Sequence, residues 1–536
     1  MKALFALPFL LAVVAAGSTP AALAPPRLLG LSVSNGGHPF EGDTRQLATV
    51  SPNGDGFRDR ARIRFRLDRP ATVEMQVVST DEVRRPVQIV WRTARKLAAG
   101  FHTILWSPQR STPSRTYLLR FVVVGRNGGS RVYGFERPRA KRTTSGLVVR
   151  IQGVDVAFLQ RSYATGASAA PVSIATDARA VRLQFLSYAS PGSGGRRDLK
   201  TNAVAMTPPI RLDWRGNRNA PHVVAVGRSG SWPSGLYFLR VTATDGRVGY
   251  APLILRPRRL GEHRVAVINS TNTWQAYNFR DGNGDGWGDS WYVSGATHRV
   301  DLRRPYLDSG LPYRFRDWNL GFISWLKRTH KEVDYFSDDD LAGIPSGDAL
   351  RRAYDLVVFP QHEEYVTRHE YDVIQRYRDL GGRLIFLSAN NFFWKVTRQG
   401  PFLRRIEMWR RLGRPEAALI GAQYVASNYG GTESPFIVQA AASEPWAFAG
   451  TGLTNGSAFG RYGVEIDARA ASSPPGTVVL ARIPHAIGSN DAEMTLYRTA
   501  AGARVFAAGA LDFAGSIGQP AVSRLVDNIW ARFLGA

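Results

Sequence analysis

The chain contains no cysteine in 536 residues. That excludes disulfides, a thiol nucleophile and thiolate metal ligands, and leaves packing alone to stabilise an exported protein. Acidic residues are few beside basic ones: 43 Asp and Glu against 69 Lys and Arg, a formal charge of +26. The basic residues are mostly arginine, scattered rather than blocked, and no nucleic-acid-binding motif accompanies them. Nucleic acid is therefore not the expected partner. Association with an anionic cell-wall polymer or a membrane surface fits the charge better. Beyond the N-terminus no apolar run approaches the roughly 20 residues that span a bilayer.

What is present begins with a leader. "MK", the run "ALFALPFLLAVVAAG" and the small-residue site "ALA" at Ala22 to Ala24 read as a secretory signal peptide over residues 1–24. The protein is expected to be secreted or held at the cell surface, with a retained N-terminal anchor as the alternative. The absence of cysteine before the cut argues against a lipid-anchored form. A hydrophobic content of 44% with 11% aromatics describes a globular chain, and its length suggests about three domains.

Two runs of short strands follow. "ARIRFRLD", "ATVEMQVVS", "FHTILWS" and "TYLLRFVVVG" alternate or cluster apolar residues as sandwich strands do, giving a first β-sandwich over 28–136. "LVVRIQGVDVAFLQ", "AVRLQFLSY" and "GLYFLRVTATD" repeat the cadence over 147–258, after the polar linker Arg137 to Gly146. From residue 261 to 536 the pattern changes. Strands "HRVAVINS", "YDLVVFPQ" and "RLIFLSAN" alternate with helical segments, one carrying Phe315, Trp318, Phe322 and Leu326 on a single stripe. The expected architecture is two Ig-like sandwich modules followed by an α/β domain with a mostly parallel sheet.

In such sheets ligands sit beyond the C-terminal strand ends. Three of these ends run into "TNTWQAYN", "QHEEY" and "ANNFFW", which present Tyr, His, Glu and Asn to one crevice. Two acidic loops also stand out. "DGNGDGWGDSWY" offers Asp281, Asn283, Asp285 and Asp289 as a candidate calcium loop, but position 12 is Tyr292 where an EF-hand needs a bidentate Glu. "SPNGDGFRD", Ser51 to Asp59, reads as a turn.

"TNTWQAYN", "GDSWY", "RRPY", "PQHEEY", "LSANNFFW", "RYGVEID" and "RVFAAGALDFA", in that order, resemble the C-terminal domain of the N,N-dimethylformamidase large (beta) subunit family. "SPNGDGFRD" and "GFHTILWS" resemble bacterial Ig-like modules of the flagellar-hook-cap (FlgD) type. The first resemblance implies a glutamine-amidotransferase-like fold and a mononuclear ferric iron held by two tyrosinates and a Glu. Carried onto this sequence, it implies Tyr277 and Glu364 as ligands, with Tyr306 as the second tyrosine and Tyr292 as its substitute. It implies His362, Asn390 and Glu465 as active-site neighbours, a small amide or formamide as substrate, and an oligomer or a small partner subunit. Such an ion prefers anionic oxygen donors and serves as a Lewis acid. "SANN" departs from the family's glycine pair before Asn390. The competing expectation, from a different class, is a non-catalytic cell-surface or carbohydrate-binding protein with a degenerate enzyme-like domain.

Overall fold

The computed structural model describes residues 24–80, 88–134, 146–189, 198–227, 231–293, 297–307 and 309–535. The apolar leader and most of the polar linker lie outside the described residues.

The alternation in "ARIRFRL" becomes the strand Ala61–Leu67, which buries Ala61, Ile63, Phe65 and Leu67 and exposes Arg62, Arg64 and Arg66. It pairs antiparallel with Leu28–Ser34 and Gly100–Trp106. This three-stranded sheet closes on a second, ordered Leu47–Val50, Leu147–Ile151, Thr116–Gly125, Ala71–Ser79, Gln88–Leu97. Ile63, Phe65, Met75, Phe121 and Val149 fill the space between them. Full burial of each such side chain contributes roughly 1.5–3 kcal/mol.

Leu147–Ile151 departs from the expected boundary. It completes the first sandwich, parallel to Leu47–Val50 and antiparallel to Thr116–Gly125, instead of opening the second. The polar linker therefore lies between two strands of one sheet and does not mark a module border.

The second sandwich sets Asp155–Phe158, Ala169–Ala175 and His222–Gly227 against a sheet built on Ala180–Tyr188, Gly235–Ala243 and Val248–Arg256. Trp214, Trp232, Phe185 and Val241 lie in its core. The loop at 51–59 clasps the two sandwiches. Its oxygens face its own amides: Asp59 accepts from Gly54 N at 2.8 Å and Gly56 N at 2.7 Å. The free Asp55 oxygen meets Arg218 of the second sandwich at 2.7 Å, and the Asn53 amide donates to Asp177 and Asp245.

The remaining chain builds a nine-stranded sheet, ordered Asp334–Ser337, Val265–Asn269, Leu356–Phe359, Arg383–Phe386, Arg504–Ala507, Asn490–Arg498, Val478–Ile487, Glu433–Val438, Ala458–Gly463. Its first five strands are parallel and the other four antiparallel. Successive side chains of the parallel strands serve opposite faces. Val357, Phe359, Leu384 and Phe386 pack under the helix Arg368–Asp379 through Tyr371, Ile374 and Tyr377. Val358, Ile385 and Phe506 pack under the helix Pro520–Leu534 through Leu525, Ile529 and Phe533. The expected single stripe from Phe315 to Leu326 is split into helices Phe315–Trp318 and Leu320–Arg328, joined at Asn319.

Candidate active site

Three parallel strands end beside one another. Val265–Asn269 passes through Ser270 into the short helix Thr271–Ala276, capped at its C-terminus by Tyr277. Leu356–Phe359 runs out to His362 and Glu364, and Arg383–Phe386 to Asn390. In "HEEY" His362 and Glu364 share one environment. Glu363 between them interacts instead with Asp338 and Glu370.

One carboxyl oxygen organises the cluster. Glu364 Oε2 accepts from Tyr292 Oη at 2.7 Å and from Tyr277 Oη at 3.0 Å. The two phenol rings stack with centroids 4.2 Å apart. Glu465 accepts from Tyr277 Oη at 3.5 Å and from Asn390 Nδ2 at 2.8 Å. His362 Nε2 lies 3.4 Å from oxygens of both Glu364 and Glu465, yet neither ring nitrogen makes a hydrogen bond. Asn390 sits in the left-handed region at φ 53°. Its N–H donates to Asp467 Oδ1 at 2.7 Å, and this fixes the turn.

Tyr306 is not brought to this cluster. Its ring packs edge-on to Trp274 at 6.3 Å, and its hydroxyl has Arg161, Gln275 and Arg304 as neighbours. The cause is local. Asn278 Nδ2 holds the Pro305 carbonyl at 3.0 Å and directs the next residue to the Trp274 side. The second tyrosine beside Glu364 is Tyr292.

The electrostatics are those of acids kept from water. Burial, then the neighbouring Glu465 charge, pushes Glu364 up to about 8. Burial raises Glu465 to about 7 and Asp467 to about 8. Both phenols are held well above their ordinary value, first by burial and then by the Glu364 charge. Burial lowers His362 to about 3, so its imidazole is neutral at physiological pH and the contacts at 3.4 Å are not ion pairs. These shifts make the metal-free protein pH-sensitive. Carboxyls raised in the fold contribute stability that is fully present below their unfolded values near 4. It is lost as pH rises through about 7 to 8. Calorimetry of the metal-free protein should therefore show its melting temperature falling between pH 5 and pH 8. A melting temperature that rises across that window contradicts this reading.

The loop carrying the tyrosines is held from two sides. Asp281 accepts from Gly284 N at 2.7 Å and Gly286 N at 2.8 Å, and Asp289 from Gly282 N at 2.8 Å and Asn283 Nδ2 at 2.8 Å. Asn283 and Asp285 side-chain oxygens likewise accept from Asp285 N and Trp287 N, each at 2.9 Å. The four candidate calcium donors thus face the loop's own amides. The cation at the base of the loop is Arg304. Its guanidinium donates to the carbonyls of Asp301, Asn278, Arg280, Asp289 and Gln275 at 2.8–3.2 Å. Outside, Phe279, Trp287 and Val293 pack on Leu47, Val78, Leu118 and Val148 of the first sandwich. Gly286, at φ 88°, is required there because a Cβ would collide with Leu118.

Three neighbours escaped the sequence reading. Tyr365 Oη meets Tyr292 Oη at 2.8 Å. Asp467 follows Glu465 at the two-residue period of a strand face, a signal that was legible in "EID". Arg304 carried no signal, because a lone Arg does not announce the carbonyls it will meet.

The residues of this site lie within a matched region. A family model described as N,N-dimethylformamidase beta subunit-like, C-terminal, matches residues 219–407 and 397–524, more than half of the chain. The chain belongs to that family. Among curated relatives, an N,N-dimethylformamidase beta subunit of Alcaligenes sp is 25% identical over 280 residues, covering 40% of this chain and 36% of the relative. The N,N-dimethylformamidase beta subunit of Paracoccus aminophilus is 24% identical over the same length and the same shares. The chain thus spans little more than a third of the relatives it matches. Among solved structures, mmIFT52 N-terminal domain aligns over 40% of this chain and 90% of its own at 12% identity, with a TM-score of 0.25, too low to inform the fold.

Proposed function

We propose that this member of the dimethylformamidase-like family is an exported amidohydrolase that cleaves the C–N bond of a small amide or formamide. Tyr277, Tyr292 and Glu364 would hold a ferric ion. The observation that carries the reading is the convergence of two tyrosine hydroxyls on a single oxygen of Glu364.

The residues fit such an ion. Two phenols and a carboxyl are hard oxygen donors whose three negative charges balance a trivalent cation. Among the described residues, His362 is the only basic side chain within ion-pair distance of Glu364 or Glu465, and it is neutral. Once ionised, these acids have no cationic side chain within ion-pair distance among the described residues to balance them. Both His362 nitrogens and Asn390 Oδ1 are buried without partners. Among the described residues no three His, Asp or Glu side chains form a metal-binding group by themselves, so the phenols are essential to the proposal. The five parallel strands with the cluster at their C-terminal ends support an amidotransferase-like arrangement.

When bound, ferric iron supplies Lewis acidity toward an amide carbonyl or a water. The chain's own residues handle position and protons. Asn390 fixes one Glu465 oxygen and leaves the carboxyl free to shuttle a proton near neutral pH. It can take a proton from the attacking water and return it to the leaving amine. Neutral His362, between Glu364 and Glu465, can accept a hydrogen bond at one nitrogen while donating from the other. The Glu465 side chain is only 12% exposed, which favours a small substrate. The relatives are named beta subunits, so we propose a partner chain as well.

Elemental analysis of purified protein should find iron, and small formamides should release amine. Absence of both contradicts the proposal. Tyr292→Phe should remove iron and activity together, whereas Tyr306→Phe should retain both. The reverse pattern would assign the second ligand to Tyr306 and overturn the site described above.

A further inference from the structure

We infer that the outer face of the first sandwich docks on an anionic lipid surface. The strand Ala61–Leu67 presents Arg62, Arg64 and Arg66 in a row on that face, about 7 Å apart by strand geometry. Register places Leu105, Thr103 and Phe101 beside them on one neighbour strand, and Ser34, Ser32 and Leu29 on the other. No acidic side chain stands among these nine residues, and among the described residues none of the three arginines has an ion pair. Neighbouring arginines elsewhere in the chain are paired routinely, as Arg218 is with Asp55 and Arg280 with Asp155. A row of arginines without ion pairs, one of them with its guanidinium over the Phe101 ring at 6.0 Å, is an electrostatic footprint for a polyanion.

The apolar members decide which polyanion. Phe101 is 85% exposed, and Leu29 and Leu105 are each 43% exposed. Phe101 stands at the start of the strand Gly100–Trp106, next to the apolar turn "LAAG" and level with Arg66. A protruding phenyl ring gains little from a polyphosphate, but it gains by entering the headgroup–acyl boundary. Arg and Phe together are the pattern of an interfacial anchor, with the guanidinium groups on headgroup phosphates.

The point where the chain enters the sandwich agrees with this. The Ala24 carbonyl accepts from Arg69 Nη1 at 3.1 Å, and Arg27 N donates to Asp68 at 2.7 Å. The chain therefore enters the sandwich at the turn following Arg66, which is the Phe101 end. The sequence immediately upstream is the apolar leader. The end of the sandwich reached at Ala24 is also the end that carries the exposed Phe101 beside the arginine row. This inference is independent of the chemistry proposed for the C-terminal sheet.

Sedimentation with phosphatidylglycerol and phosphatidylcholine vesicles tests it on the purified protein. Binding is expected to phosphatidylglycerol and not to phosphatidylcholine, weakening as salt rises. With each basic residue near such a surface contributing appreciably, R62E/R64E/R66E should lower vesicle affinity by at least about a hundredfold. F101S should lower it severalfold at every salt concentration. R211E/R368E/R404E makes the same charge change elsewhere and should leave affinity within about threefold. All of these residues are exposed, so the variants should melt like the parent. Equal losses in the two triple variants would show attraction by net charge alone and overturn the inference. So would no binding to phosphatidylglycerol, or equal binding of soluble polyphosphate with F101S unaffected.

Discussion

Glu364→Gln is expected to abolish amide hydrolysis without destabilising the protein. The amide keeps the size of the carboxyl and can still accept from the Tyr277 and Tyr292 hydroxyls on one oxygen. It loses the negative charge that a ferric ion requires. Substitutions that merely orient metal ligands lower affinity or activity by about 10–100-fold, so losing a direct ligand should exceed roughly a hundredfold. Stability should move the other way. Burial already holds Glu364 up to about 8 in the metal-free fold, so the neutral amide replaces a group that is protonated below that pH. The variant should melt like the parent at pH 5 and higher than the parent at pH 8, in metal-free protein. A variant that keeps activity, or that is less stable than the parent at pH 8, contradicts the role assigned to Glu364.

Arg304→Met should produce the largest loss of stability. Arg304 is 7% exposed, and its guanidinium's bonds to five carbonyls tie residues 275–280, 289 and 301 together. Burial lowers it only to about 10, so it remains a cation at neutral pH. Methionine preserves much of the length and none of the donors. The abandoned carbonyls lie away from water, and breaking a buried, hydrogen-bonded charge site typically costs about 3–5 kcal/mol. Arg304→Lys keeps the charge but reaches fewer carbonyls and should fall between the two. Because the same loop carries Tyr277 and Tyr292, iron occupancy should fall in parallel with stability. A shift of less than about 1 kcal/mol in urea denaturation would show that the loop is held by its glycine turns and not by Arg304.

Much of the architecture was legible because it is periodic. "ARIRFRLD" announced a half-buried strand, and "YDLVVFPQ" and "RLIFLSAN" announced strands covered on both faces. The antiparallel half of the large sheet was less legible, since "ARIPHAIGSNDAEMTLYRT" is one long hairpin, Val478–Ile487 with Asn490–Arg498, whose register shifts blur its alternation. The border of the second module was misplaced because a polar linker signals solvent exposure and says nothing about which sheet the chain rejoins. At the site, Tyr277, His362, Glu364, Asn390 and Glu465 come together because strand ends and helix caps position them. From sequence Tyr306 ranks ahead of Tyr292, whereas the structure sets Tyr292 beside Glu364. Both follow turn-rich segments, and the choice depends on Asn278 and Arg304, whose side chains cross the loop to bind backbone far along the chain.

Tyr277, Tyr292 and Glu364 are proposed to hold one ferric ion. Visible absorption of the purified protein, read against its iron content, tests this most directly, because tyrosinate bound to ferric iron absorbs where neither partner does alone. One iron per chain is expected, with a visible band that is lost in both Tyr277→Phe and Tyr292→Phe and kept in Tyr306→Phe. Iron-loaded protein without the band, or a band that survives both substitutions, would contradict it.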